Sequence, residues 1–171
     1  RHLDQQVYDH PEVLHVFSAG NSATKACGNN YGKVTSPDGL HFGNISGGMK
    51  AGKNVLAIGN VEAYDYLQIR SSRGPAADGR IKPDLCAMGQ GQYTLGQNGT
   101  YQHGSGTSAA APAAAGSAGL LYQAFRQKNN NQDPSSALVK ALLLNTADDL
   151  GRPGPDYAYG WGRINIARAV E

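Results

Sequence analysis

Gly104-Ser105-Gly106-Thr107-Ser108-Ala109-Ala110-Ala111-Pro112 stands where the texture of the sequence changes. Residues 108–126 are dominated by alanine, with Leu120, Leu121, Tyr122 and Phe125 at the far end. Alanine is the strongest helix former, and a helix this poor in charge is expected to be largely buried. The quoted string therefore marks a loop running into a buried helix. A serine held there sits beside unpaired backbone amides and the positive end of the helix. Such a place favours the negative charge that develops on an attacked carbonyl. Pro112 is expected near the first turn, where its missing amide costs little. Residue by residue, the string stays open to other readings. Ser108 also fits an ordinary helix cap. Gly104 to Ala109 fits the loose G-x-G-x-x-G/A nucleotide pattern. That fingerprint needs a strand before it and an acid ending a second strand, whereas Tyr101-Gln102-His103 is a poor strand and the next acid, Asp133, follows an asparagine-rich loop. No G-x-S-x-G elbow surrounds Ser108, since Gly106 and Ala110 flank it.

Upstream, the apolar run Leu14-His15-Val16-Phe17 ends in Ser18-Ala19-Gly20-Asn21 and reads as a buried strand entering a tight turn. Residues 27–52 read as a long loop. Residues 54–61 are almost continuously apolar, as in a strand covered on both faces. Residues 81–87 are expected to be extended, because Pro83 pushes Lys82 out of the helical region. Residues 89–101 read as a hairpin or edge excursion. Downstream, Pro134 and Ser135 introduce a second helix reaching Ala147, with Leu138, Leu142 and Leu143 as its apolar face and Lys140 on its wet side. A last short helix is expected over residues 164–170. Strands alternating with helices predict an α/β sandwich around a mostly parallel sheet.

The composition narrows the function classes. The chain has 171 residues, 40% of them hydrophobic and 16% charged, which suits one compact unit. Fifteen basic and 13 acidic side chains leave a net charge of +2 with no basic stripe, so nucleic-acid binding is not expected. No apolar run reaches the roughly 18 residues of a membrane span. Cys27 and Cys86 lack the spacing of a zinc or dithiol site and read as separate thiols, with a disulfide between them as the alternative.

The string Gly106-Thr107-Ser108-Ala109-Ala110-Ala111-Pro112, with Gly116 after it, resembles the G-T-S-M-A-x-P nucleophile motif of subtilisin-like serine peptidases. Three further strings agree, in that family's order. Phe17-Ser18-Ala19-Gly20-Asn21 resembles its oxyanion-asparagine segment. Ser71-Ser72-Arg73-Gly74-Pro75 with Asp78-Gly79-Arg80-Ile81-Lys82-Pro83-Asp84 resembles the stretch preceding the nucleophile. Tyr159-Gly160-Trp161-Gly162-Arg163-Ile164-Asn165 resembles the closing segment. The resemblance implies a three-layer α/β/α sandwich, of which residues 1–171 are the C-terminal portion. It implies a serine endopeptidase in which Ser108 attacks the scissile carbonyl and the Asn21 amide and the Ser108 N–H hold the oxyanion. Ser18, Ala19 and Gly20 match one wall of the substrate pocket, while Gly106, Thr107 and Pro112 support the nucleophile turn. Ala109, Ala113 and Ala114 depart from the family's usual residues, without removing any acid–base group.

A serine hydroxyl needs a base, and the family's aspartate and histidine precede its oxyanion asparagine in D-[ST]-G and H-G-T strings. Neither string occurs here, and only 20 residues precede Asn21. His103, five residues before Ser108, falls where the family has no catalytic residue. The resemblance thus implies that an N-terminal fragment of the same peptidase supplies the acid and base, the alternative being an inactive peptide-binding or structural relative. No cofactor is required for the chemistry. Family members often bind structural calcium, for which no ligands are assignable here, and Asn29 and Asn30 read as turn residues. Many family members are secreted with a propeptide, so an extracellular or cell-surface location is implied.

Overall fold

The computed structural model describes residues 2–171. Helix α1 (His2–Asp9) is followed by strands β1 (Val16–Ser18), β2 (Leu56–Val61) and β3 (Leu85–Met88). An antiparallel ribbon of β4 (Gln92–Leu95) and β5 (Tyr101–Gly104) leads into the long helix α2 (Thr107–Lys128). Helices α3 (Ser136–Asn145) and α4 (Ile166–Val170) complete the chain.

The three strands form a parallel sheet in the order β1-β2-β3. Val16 faces Leu56, and Ile58 faces Leu85 across the two pairings. Every residue of β2 is buried, as its continuous apolar pattern predicts for a central parallel strand. Leu56 and Ile58 of β2, with Leu85 and Ala87 of β3, pack against Ala110, Ala114, Ala118 and Leu121 of α2 and Val139 and Leu143 of α3. On the opposite face Gly59 lies so close to Cys86, Pro83 and Ser71 that a side chain there would collide. The α/β class predicted from the sequence is the one observed.

The four strings that carry the family resemblance brace this sheet. Ser71 Oγ accepts from the Asn60 N–H at 2.9 Å, and Ser72 Oγ accepts from the Ser22 N–H at 3.1 Å. Buried Lys82 pairs with buried Asp84, whose carboxylate also accepts the Ala57 N–H at 2.7 Å. The closing segment runs alongside β3: Cys86 donates to the Gly162 carbonyl at 2.8 Å, and Ile164 donates to the Cys86 carbonyl at 3.0 Å.

Four expectations are corrected. Helix α2 buries one face only and leaves Ala115, Gly116, Gly119 and Leu120 exposed. Pro112 is the sixth residue of α2, beyond the first turn. It therefore withholds the N–H that the Ser108 carbonyl would have received. Leu138 points outward at 39% exposure, and Val139 takes its place in the core. Lys140 turns inward, pairing with Asp84 at 3.1 Å and donating to the carbonyls of Lys53 and Val55 at 2.9 and 2.8 Å. Ser135 caps α3 as expected, accepting from the Leu138 N–H at 3.2 Å.

Candidate active site

The site is built where the end of β1 meets the start of α2. Gly106 is the residue before the helix, at φ +106°, a conformation that L side chains rarely adopt. A Cβ there would also meet the Asn21 amide at 3.2 Å. The Gly106 N–H donates to the Gly89 carbonyl at 2.8 Å, fastening the turn to the end of β3. With Gly106 in the capping position and making no side-chain cap, Ser108 is not the cap residue. It stands inside the first turn with its side chain exposed.

Thr107 is fully buried and joins the two elements. Its Oγ1 accepts the Gly20 N–H at 3.2 Å and donates to Asn21 Oδ1, also at 3.2 Å. The Thr107 N–H donates to the same Asn21 oxygen at 3.1 Å. A backbone N–H can only donate, so the Asn21 atom facing Thr107 must be oxygen, and Nδ2 is turned away. Neither Asn21 Nδ2 nor the Ser108 N–H donates to any described residue; the next amides, of Ala109 and Ala110, both reach the Gly106 carbonyl, at 2.9 and 3.1 Å. Two donors at the head of a helix are thereby left without a partner among the described residues, an arrangement able to receive a developing negative charge.

The segment before Asn21 is fixed from both sides. Ala19 donates to the Ile58 carbonyl at 2.9 Å, and Ser72 donates to the Gly20 carbonyl at 2.8 Å. Ala19 is fully buried and packs in the core; Ser18 and Gly20 are half-buried and keep an accessible surface. A cavity of about 260 Å³ lies beside the donors, lined by Asn21, Gln68, Arg70, Gln90, Ser105 and Gly106. A larger one, of about 610 Å³ and walled by Phe42, Tyr66, Tyr157 and Tyr159 around Arg73, contains neither Ser108 nor Asn21.

No described residue hydrogen-bonds the Ser108 hydroxyl. His103 lies on β5, its Nδ1 3.1 Å from the Gly91 carbonyl and its ring against Tyr93. His15 stacks on Phe17 at a centroid distance of 6.4 Å. Burial, reinforced by the negative charge of Asp156, pushes the Cys86 thiol far above its ordinary value, which makes it inert, and both Cys86 and Cys27 are unbridged. Among the described residues no three His, Cys, Asp or Glu side chains converge on a common point. No helix among them is long and apolar enough to cross a membrane. The bracing roles of Ser72 and Gly89 carry no local signal in the sequence, because their partners lie far along the chain.

A family model described as the subtilase family matches residues 2–162. The "Extracellular serine protease" of Serratia marcescens is 32% identical over 174 residues, covering 92% of this chain and 15% of that protein. The mouse "Membrane-bound transcription factor site-1 protease" is 34% identical over 125 residues, covering 69% of this chain and 11% of that protein. Among solved structures, the "Prenylagaramide maturation protease PagA" shares the fold with a TM-score of 0.72 at 24% identity, over 98% of this chain and 52% of that one. The chain thus spans 11% to 15% of these curated relatives and about half of that structure. A match running from residue 2 to residue 162 takes in nearly the whole sequence, and the chain belongs to the subtilase family.

Proposed function

We propose that this chain is the nucleophile-bearing portion of a serine endopeptidase. Ser108 attacks the scissile carbonyl and becomes acylated, while Asn21 Nδ2 and the Ser108 N–H receive the oxyanion. The observation that carries this reading is the pair of unpaired donors, held together by Thr107 at the mouth of one helix. The acid and base that activate Ser108 come from a segment or chain N-terminal to these residues. Two features favour such a partner. Strand β1 has a neighbour on one side only, and an open parallel edge seeks another strand. Helix α2 exposes small residues, over which another element can approach closely. Work outside the cell accords with the name of the Serratia relative, an extracellular serine protease.

The test is a fluorophosphonate probe applied to the full-length protein, with all its segments present. Labelling at Ser108 that disappears in Ser108→Ala supports the enzyme. An assembled, folded protein that takes up no label at Ser108 refutes it and leaves a peptide-binding or structural relative.

A further inference from the structure

The loop between β1 and β2 returns to the site through a single 3-10 turn, Met49–Ala51, entered from Gly47 and Gly48 at positive φ. That turn brings Lys50 against Gly20, the residue next to Asn21. The ammonium lies 2.9 Å from the position a Cβ on Gly20 would occupy, so its approach depends on the missing side chain. Lys50 is half-buried, and it makes no ion pair and no hydrogen bond with any described residue. Burial alone pulls its ammonium below the ordinary lysine value, with no carboxylate to oppose the shift. The chain's other inward-turned lysines, Lys82 and Lys140, both have a partner in Asp84. Arg70, on the cavity beside Asn21, likewise makes no ion pair, and no carboxylate lines that cavity.

A partly desolvated cation without a counter-charge is unfavourable in the free protein. It becomes favourable when a ligand brings the opposite charge. Successive residues of an extended peptide are about 3.3 Å apart. A substrate whose carbonyl rests on Asn21 Nδ2 therefore places a neighbouring side chain within reach of Gly20 and the ammonium above it. We propose that Lys50 selects an acidic side chain within one or two residues of the scissile bond, which makes the substrate class an acidic peptide segment. This inference rests on the peptidase reading of Ser108 and Asn21. The competing role for Lys50 is packing of its aliphatic stem over Gly20 with the head group solvated.

The experiment uses the full-length peptidase and peptides carrying Glu, Gln, Leu or Lys in turn at each of the two positions on either side of the cut. At one position the expected kcat/KM favours Glu over Gln by about tenfold or more at low salt, the size of a charge-assisted hydrogen bond. The preference shrinks as salt rises. In Lys50→Met, which keeps the stem and removes the charge, it collapses to within about twofold, and Lys50→Glu turns it toward Lys. An enzyme that labels at Ser108 but cleaves Glu and Gln peptides equally at every position overturns the inference and spares the peptidase reading. A Glu preference that survives Lys50→Met also overturns it. Absence of both labelling and hydrolysis overturns the peptidase reading, and this inference with it.

Discussion

Asn21 Oδ1 accepts two hydrogen bonds from one residue, the N–H and the hydroxyl of Thr107, at 3.1 and 3.2 Å. The same hydroxyl accepts the Gly20 N–H, so a single fully buried side chain sets both the turn at the end of β1 and the rotamer of Asn21. Thr107→Val keeps the shape and deletes the two bonds of the hydroxyl, leaving the N–H bond to Asn21 in place. It is expected to cost about 1–3 kcal/mol of stability, because buried polar groups lose their partners. The proposed activity should fall with it, as Asn21 loses one of the two bonds that fix its side chain. Thr107→Ser should recover most of both. Urea unfolding of the full-length protein, read beside peptide hydrolysis, checks the prediction; a valine variant as stable and active as wild type contradicts it.

Asn21→Asp separates donation from anchoring. An aspartate keeps an oxygen for Thr107 but replaces the Nδ2 donor with an acceptor that repels an oxyanion. The expected result is a fall in kcat of about 10²-fold or more with KM changed by less than about threefold, the pattern for an interaction made only in the transition state. Retention of kcat within tenfold removes Asn21 from the oxyanion site. Stability measured alongside should change less than in Thr107→Val.

The candidate site is legible in the sequence because its residues lie in short contiguous strings: the serine with its glycine and threonine, and the asparagine with the strand before it. The helix and the central strand were readable from composition, since alanine enrichment and a continuous apolar run have direct physical meaning. What escaped depended on contacts made across the fold. Lys140 reads as a solvated lysine on a helix face until Asp84 and the Lys53 and Val55 carbonyls appear beneath it. Lys50 sits in a Gly-rich loop, and nothing local says that it rests on Gly20. Helix α2 reads as largely buried because alanine, small and apolar, does not distinguish a packed face from an exposed one. Helix α1 spans only eight residues of a mostly polar stretch, a length at which a helix is marginal without tertiary support.

The Lys82–Asp84–Lys140 cluster predicts a large stability effect remote from the nucleophile. Lys82 is 1% exposed and its ammonium is pulled down by burial, with Asp84 opposing that shift. Asp84→Ala leaves two inward-facing ammonium groups and the Ala57 N–H without their acceptor. The expected loss is about 3–5 kcal/mol, the cost of a broken buried pair. A double substitution, Lys82→Met with Asp84→Leu, should lose less than Asp84→Ala alone, because it leaves one inward-facing ammonium, that of Lys140, without its carboxylate instead of two. Denaturant midpoints of the full-length proteins decide this; a double variant less stable than the single one counts against it.

Asp148 sets part of the response to acid. Its carboxylate accepts from Arg163 Nη2 at 2.8 Å, Asn165 Nδ2 at 3.0 Å and Arg168 Nη1 at 3.4 Å. The hydrogen bond from Arg163, then that from Asn165, holds the carboxyl below its ordinary 3.8. The folded state therefore releases this proton at lower pH than the unfolded chain does. Between the two values the unfolded chain binds more protons, so stability rises with pH. The contribution is complete above about pH 5, well past the unfolded value, and disappears as pH falls through the folded one. Asp148→Asn removes it, at a cost of about 1 kcal/mol near neutrality, since Arg163 and Arg168 are 40% and 56% exposed and screened by solvent. Asp38, Asp78 and Asp133 are also held low by neighbouring arginines or hydroxyls, so wild type and variant both weaken in acid. The informative quantity is the gap between their stabilities, which should narrow steadily from pH 5 to pH 2. A gap that stays constant across that range, in chemical unfolding at each pH, assigns the Asp148 contacts a role independent of its charge.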